Sequence, residues 1–335
     1  MENNLLVSII VPLYNKGQYF ERCFNSVVCQ TYTNIECIIV EDCSTDSSLE
    51  IANNLIKNYT GNIKFVLIKH EQNGGPSTAR NTGINHSGGE YIYFLDADDE
   101  ITRDCIKLLV ALAQKHNFVD LVQGNYLQEP YLHINDLKGT LPDFVKGNLE
   151  IKKKYFNQIP LSPCNKLIRK EFINKESLYF KNRLRVHEDD LWHFFVIKKI
   201  ENFAFTDEYT YIYHIIPNST MNNSTLFPSI SGYLSVAEEM MCNLDIDILH
   251  KQIDEIYDRL ENQRKRILSD ERYSSLMPRC QMLLKKISKG YFILPLFLRK
   301  IKALDIIGMV KAIIRRILGK KLTEKIKSLR KNISS

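Results

Sequence analysis

The sequence predicts an α/β fold built on a doubly wound, mostly parallel sheet with helices on both faces, followed by a helical C-terminal region. Three observations carry this expectation. Apolar, β-branched runs alternate with amphipathic stretches over the first 125 residues, the connections between them are short, and from Ser229 onward the chain is almost entirely helical in period. Strand–helix–strand alternation with short connections implies right-handed crossovers and therefore parallel strands.

The elements follow in order. Leu5 to Val11 is a continuous apolar run bounded by Pro12, as suits a strand buried on both faces. Tyr19 to Cys29 has the period of an amphipathic helix, and Ile35 to Val40 reads as a second buried strand. Ser44-Thr-Asp-Ser opens a helix reaching about Tyr59, with Ser or Asp as its N-cap. Ile63 to Ile68 is a third strand. Asn73-Gly-Gly-Pro then leads into a helix from about Ser77 to Asn85, with Pro76 at its start. Gly88-Gly89 closes that unit. Tyr91 to Leu95 is the fourth strand, Thr102 to His116 a helix and Val119 to Gln123 another strand. Gln128 to Gly147, rich in Pro, Gly, Asn and Asp, predicts a long loop or irregular insertion. Ile151 to Arg183 mixes helix and turn signals, Leu191 to Lys199 is helical, Tyr209 to Ile216 reads as a strand and Asn218 to Ser224 as a polar loop. The chain thus divides into segments 1–125, 126–228 and 229–335.

Composition narrows the class. The chain has 335 residues with 44% hydrophobic content, ample for a sizeable core, and shows neither low complexity nor a fixed repeat. Its eight cysteines include no C-x-x-C pair and no His/Cys spacing that suits zinc, a pattern of free thiols in a reducing cytosol. The N-terminus lacks the basic region and cleavage site of a signal peptide. The longest uninterrupted apolar run, Tyr291 to Leu298, is far short of the roughly 20 residues that span a bilayer. From Gln281 to Ser335 there are fifteen Lys and Arg against Asp305 and Glu324, a net +13 in a chain whose total is +6. The rest of the chain is acidic on balance, which argues against a nucleic-acid footprint and for one specialised basic surface.

In a parallel sheet, ligands bind beyond the carboxyl ends of the strands. Each predicted strand end carries capable residues: Pro12, Tyr14 and Asn15 after the first, Asp42 after the second, Gly74, Gly75 and then Arg80 after the third, and Asp96-Ala97-Asp98-Asp99 after the fourth. Acids and Asn are common in turns and caps, so each alone is weak. Together on one rim they are not. Three acids within four residues repel one another unless a cation compensates, and oxygen-only ligands suit Mg2+ or Mn2+ completed by waters and phosphates. That points to Asp96 and Asp98, and to a nucleotide diphosphate as the phosphate source. The alternative is a helix N-cap cluster, with Asp99 as the cap. Arg80 either contacts phosphate or base or makes a surface ion pair.

A second acidic triplet, Glu188-Asp189-Asp190, opens a helix beside His187 and Trp192. One acid would satisfy the helix dipole, so three suggest a site in which a carboxylate acts as general base. Trp192 either stacks on a sugar or packs in the core. Lys166 and His214 are isolated polar residues beside apolar runs, and touch substrate, metal or phosphate only if they are not simply structural.

Taken in order, VSIIVPLYN, IIVEDCSTDSS, NGGPSTARNTGI and GGEYIYFLDADD resemble the nucleotide-binding half of family 2 glycosyltransferases of the GT-A fold, strongly over Val7 to Glu100. Asn165-Lys166-Leu and His187-Glu188-Asp189 extend the resemblance more weakly to about Ser224. The resemblance implies that Pro12, Tyr14 and Asn15 line the nucleotide pocket, that Asp42 contacts the base, that Asp96 and Asp98 are the D-x-D pair with Asp98 the direct metal ligand, and that Asp189 of the Glu188-Asp189 pair is the base. Asp190 leaves the register between the three acids open. Cys43 stands where the family often has Gly. The implied reaction is transfer of a sugar, with inversion, from a nucleotide diphosphate donor (UDP-linked) to a glycan or lipid-linked glycan, as in cell-surface polysaccharide synthesis. A nucleotidyltransferase and a non-catalytic membrane-attached scaffold are the alternatives.

Over Lys300 to Lys320, aliphatic residues from Ala303 to Leu318 fall on one side of a helical wheel and Lys302, Lys311, Arg315, Arg316 and Lys320 mostly on the other. This is the pattern of an interfacial helix and predicts, for residues 291–335, attachment to an anionic membrane at its cytoplasmic, inner face. The alternative is a helix whose apolar face packs on the body or on a partner.

Overall fold

In the computed structural model, which describes residues 4–129, 138–182, 184–216 and 226–289, β1 (Val7–Leu13), β2 (Ile35–Glu41), β3 (Lys64–Lys69) and β4 (Tyr91–Phe94) lie in the order β3-β2-β1-β4. All three pairings are parallel, with Val7 opposite both Ile35 and Tyr91. The connecting helices are α1 (Gly17–Val28), α2 (Ser48–Asn58) and α3 (Gly75–His86). Both faces are covered. Ala79 of α3 packs on Ile38 and Val40, while Phe24 of α1 stacks on Phe65 of β3, the neighbouring register position, at 4.5 Å. This is why β1 and β2 read as continuous apolar runs. The edge strand β3 instead ends in exposed lysines at both sides, which discourage further pairing. α3 approaches β1 closely because residue 83 is glycine: a Cβ there would lie 2.3 Å from Ile10 Cγ2.

These elements fall close to where the periodicity places them. α2 begins later than the Ser44 start, at Ser48, whose N donates to Asp46 Oδ1 (2.9 Å) while the other Asp46 oxygen accepts from Gly17 N (3.0 Å). Asp46 thereby also pins the start of α1.

Beyond β4 the sheet turns mixed. It continues as β8 (Lys166–Arg169), β6 (Leu121–Glu129), β9 (Asn202–His214) and β5 (Glu100–Ile101), with β7 (Phe144–Lys146) also on β9. β8 runs antiparallel to β4 and β6, β6 runs parallel to β9, and β5 and β7 pair antiparallel with opposite ends of β9. α4 (Cys105–Lys115), α5 (Asn148–Tyr155), α6 (Lys170–Glu176) and α7 (Glu188–Lys199) complete this part. The loop expected over Gln128 to Gly147 is in part strand, since β6 reaches Glu129 and β7 lies within it. Residues 130–137 lie outside the described residues, as do 217–225, which hold the predicted polar loop. β9 starts well before Tyr209, because Phe203, Ala204 and Phe205 are buried between β6 and β7. α7 starts at Glu188 rather than Leu191, which puts all three acids in its first turn.

This sheet and its helices belong to the first of two units, Met1–Ser224; the second is Thr225–Ser335. In the second unit α8 (Leu226–Cys242), α9 (Leu249–Leu268) and α10 (Met277–Lys289) pack on one another. Ile253, Ile256, Leu260 and Ile267 recur at helical spacing along α9 and are buried with Ile230, Leu234 and Leu283. No helix among the described residues is long and apolar enough to cross a membrane. The segments Tyr291 to Leu298 and Lys300 to Lys320 lie outside the described residues.

Candidate active site

The carboxyl end of β4 and the N-terminus of α7 converge on one side chain, Arg80. It lies one turn and a half into α3 and is 4% exposed. Nη2 donates to Asp96 Oδ1 at 3.1 Å; Nη1 donates to Glu188 Oε1 at 3.1 Å and to Asp189 Oδ1 at 3.0 Å. Its guanidinium carbon lies 5.3 Å from the Phe180 ring centroid. One cation thus faces three carboxylates, and the excess negative charge has a consequence. Burial, with Glu188, Asp96 and Asp190 adding to it, pushes the Asp189 carboxyl up to about 7 against the pull of Arg80. Glu188 is also raised, by burial first, with Arg80 opposing. Glu188 is nearly closed off, whereas a third of the Asp189 side chain is open. Asp190 turns away, its Oδ2 2.7 Å from His187 Nδ1, where His187 caps the helix in the left-handed conformation (φ 63°). Between the three acids, geometry therefore singles out Asp189 as the one that is both open and perturbed.

The turn after β4 divides its acids the same way. Asp96 and Asp98 face the rim, Asp96 held by Arg80 and Asp98 by the ammonium of Lys16. Asp99 points inward and is 2% exposed, its Oδ2 accepting from Tyr211 Oη (2.7 Å) and its Oδ1 from His214 N (2.9 Å). Burial, then the charges of Asp96 and Asp98, push the Asp99 carboxyl up to about 8. It ties the turn to β9 instead of capping α4. The His214 ring lies between Glu100 Oε1 (2.7 Å) and Glu129 Oε2 (3.4 Å).

At the other end of α3, Asp42 is 2% exposed and holds the Asn73-Gly74-Gly75 turn. Its Oδ1 accepts from Gly74 N (2.9 Å) and meets His70 Nδ1 (2.6 Å), and its Oδ2 accepts from Gly75 N (2.7 Å). Gly75 has φ +80°, a left-handed conformation that glycine adopts without strain. His70 Nε2 in turn meets Thr82 Oγ1 at 2.9 Å. Asn15, also left-handed (φ 50°), accepts from Thr45 N at 2.8 Å and so joins the loops after β1 and β2. Pro12 is half-buried and Tyr14 is exposed on the same rim. Cys43 adopts φ 62° where a glycine would be unstrained.

Two sequence candidates are interior. Lys166 is fully buried, donating Nζ to the carbonyls of Pro160 (2.8 Å) and Ser162, and burial pushes its ammonium down to about 7. Trp192 is a core residue, stacked on Phe180 at 5.0 Å with Nε1 donating to Leu178 O. Conversely, sequence reading passed over Lys16, His70 and Tyr211. The first two stand at strand ends, Lys16 beside Asn15 and His70 directly after β3; nothing local marks Tyr211.

The acids on the rim suit a hard divalent cation. Asp96 and Asp98 offer oxygen donors two residues apart, and each is already balanced by a cation of the chain. Mg2+ or Mn2+ takes one or two such carboxylates and fills its remaining positions with waters and substrate phosphates. Among the described residues no three His, Cys, Asp or Glu side chains form a ready cage.

The chain belongs to glycosyl transferase family 2, whose model matches residues 8–176. It is 33% identical over 223 residues to the uncharacterized glycosyltransferase EpsJ of Bacillus subtilis (strain 168), an alignment covering 64% of this chain and 62% of that protein, so it spans less than two thirds of that relative's length. It is 31% identical over 232 residues to glycosyltransferase GlyG of Streptococcus pneumoniae serotype 4, covering 64% and 73% respectively. Among solved structures, residues 1–349 of Staphylococcus aureus TarS in complex with UDP-GlcNAc match with a TM-score of 0.67 at 21% identity, covering 93% of this chain and 92% of that one. That likeness establishes a GT-A-like fold.

Proposed function

We propose that this chain is a metal-dependent, inverting glycosyltransferase that moves a sugar from a nucleotide diphosphate donor, UDP-linked, to a hydroxyl of a glycan or lipid-linked glycan. The observation that carries the reading is Arg80, which brings Asp96 of the D-x-D turn and the Glu188-Asp189 pair to one guanidinium although they lie far apart in sequence. Membership of the family and the UDP-GlcNAc seated in the TarS structure support it.

In this mechanism Pro12, Tyr14, Asn15 and Asp42 seat the nucleotide. Asp42 has three side-chain hydrogen-bonding partners, which leaves a lone pair on Oδ2 for one N–H of a base. Asp96 and Asp98 would hold Mg2+ or Mn2+, which supplies charge neutralisation for the departing diphosphate. Asp189 takes the proton from the acceptor hydroxyl as its oxygen bonds to the anomeric carbon and the carbon–oxygen bond to the diphosphate breaks. Burial raises the Asp189 carboxyl, which makes it a stronger base than an ordinary Asp. Glu188, bonded to the same guanidinium nitrogen, fixes Arg80 and keeps Asp189 perturbed. The basic residues 291–335 would hold the chain to an anionic, cytoplasmic membrane face, close to a lipid-linked acceptor.

The direct test is a panel of nucleotide sugars incubated with the protein and Mg2+ or Mn2+, reading release of the nucleoside diphosphate. One donor should be hydrolysed slowly, and Asp98→Ala should abolish metal-dependent UDP binding without lowering the melting temperature. Release of pyrophosphate from a nucleoside triphosphate and a sugar 1-phosphate, with no nucleotide sugar hydrolysed, would instead make the chain a nucleotidyltransferase.

A further inference from the structure

Asp96 and Asp98 are balanced by cations of different kinds. Arg80 is buried and shared with two acids on α7, so it cannot leave without exposing them. Lys16 is different. Its Nζ pairs with Asp98 Oδ2 at the rim, where the two side chains are 23% and 19% exposed. The backbones on both sides are fixed: Lys16 N donates to Ser48 Oγ at 2.9 Å, and the Asp98 carbonyl accepts from Arg22 Nη2. Only the side chains can rearrange, and Lys16 has a flexible four-carbon stem ending in a compact charge.

We propose that Lys16 is a counter-ion switch that neutralises Asp98 while the site is empty and passes to the diphosphate of the donor when a divalent cation takes Asp98. The proposal rests on the reading of this rim as a metal- and diphosphate-binding site. A divalent cation and an ammonium on the same carboxylate would put three unit charges side by side, so one must leave. The ammonium is the mobile one, and the incoming diphosphate is the nearest anion able to receive it. Metal alone then binds against Lys16, whereas metal and diphosphate bind cooperatively. By reciprocity, each tightens the other by the same factor. Lys16 is thus a positioning residue that couples two ligands.

The test is a Mn2+ titration of the full chain, read by the electron paramagnetic resonance of free Mn2+, with and without UDP. UDP is expected to tighten Mn2+ binding by more than tenfold in the unmodified protein. Lys16→Met should bind Mn2+ about tenfold more tightly without UDP, since an opposing ion pair is gone, and should lose most of the enhancement by UDP. Lys16→Arg, which keeps the charge, should retain the enhancement, and both variants should melt with the parent because Lys16 lies at the rim. Equal UDP-free Mn2+ affinity in Lys16→Met and parent, where the parent binds both ligands, overturns the switch alone. A parent that binds neither Mn2+ nor UDP overturns the functional reading beneath it as well.

Discussion

The turn after β4 and the first turn of α7 are built alike, and the likeness separates structure from chemistry. Each carries three acids: Asp96, Asp98 and Asp99 in one, Glu188, Asp189 and Asp190 in the other. In each, one acid is withdrawn to a partner of its own, Asp99 to Tyr211 and His214 N, Asp190 to His187. The other two in each turn are held by cations of the chain. The turns differ in who supplies them. The β4 turn has a cation of its own in Lys16 and shares Arg80; the α7 turn has Arg80 alone. Burial raises both carboxyls of the α7 pair against the pull of Arg80, and a raised, partly open carboxylate such as Asp189 is the kind that moves protons.

Removing the shared cation should break this comparison most severely. Arg80→Met leaves Glu188 and Asp189 without a partner, and breaking a buried pair costs about 3–5 kcal/mol. We expect a fall in melting temperature of roughly 10 °C at pH 7 and complete loss of transfer. A calorimetric melt matching the parent would show the hub to be decorative.

Next in size is the contrast within the α7 turn. Asp189→Asn cannot accept a proton, and transfer should fall by roughly 10² or more while UDP affinity persists. Asp190→Asn keeps a hydrogen bond to His187 and should fall by about threefold at most. Steady-state rates with a soluble acceptor decide, and reversed magnitudes would move the base one residue along. In the parent, the base works ionised, so kcat/KM should fall as pH drops through about 7 and level off above it. An acidic limb near 4 would mean an unperturbed base.

The smallest effect sharpens the β4 side. The folded protein raises the Asp99 carboxyl to about 8, so the group favours folding when neutral. Its contribution is fully present below the unfolded value near 4 and is lost as pH rises through about 8. Asp99→Asn, uncharged throughout, should therefore melt closer to the parent, or above it, at pH 9 than at pH 5. Thermal scans at the two pH values check the sign.

How much of this was legible depended on distance along the chain. β1 to β4 and their helices declare themselves because each is long enough to show a period and is joined to the next by a short connection. β5, β7 and β8 have two to four residues each, too few for any period, and exist because β9, β6 and β4 offer them backbone partners. The acids of both turns were visible as clusters, but their division of labour was not. What withdraws Asp99 is Tyr211, 112 residues later, and what joins the clusters is Arg80, 108 residues before Glu188. Lys166 stayed open between a structural and a substrate role since nothing local shows that two carbonyls close over its ammonium.

One feature reaches further than its own hydrogen bonds. Asp42 grips the first residues of α3, and Arg80 rides the same helix five residues on, about 7.5 Å away at the rise of an α-helix. Gly83 lets that helix lie hard against Ile10, so it behaves as a stiff rod on a fixed bed. In the proposed reading, the seat of the nucleobase and the anchor of the general base are the two ends of one lever. A donor whose base sits badly against Asp42 would tilt the rod and misplace Asp189. Such a donor would be penalised in turnover as well as in affinity, so fidelity toward the nucleotide would be enforced at the reacting carbon by a helix that touches neither the sugar nor the acceptor.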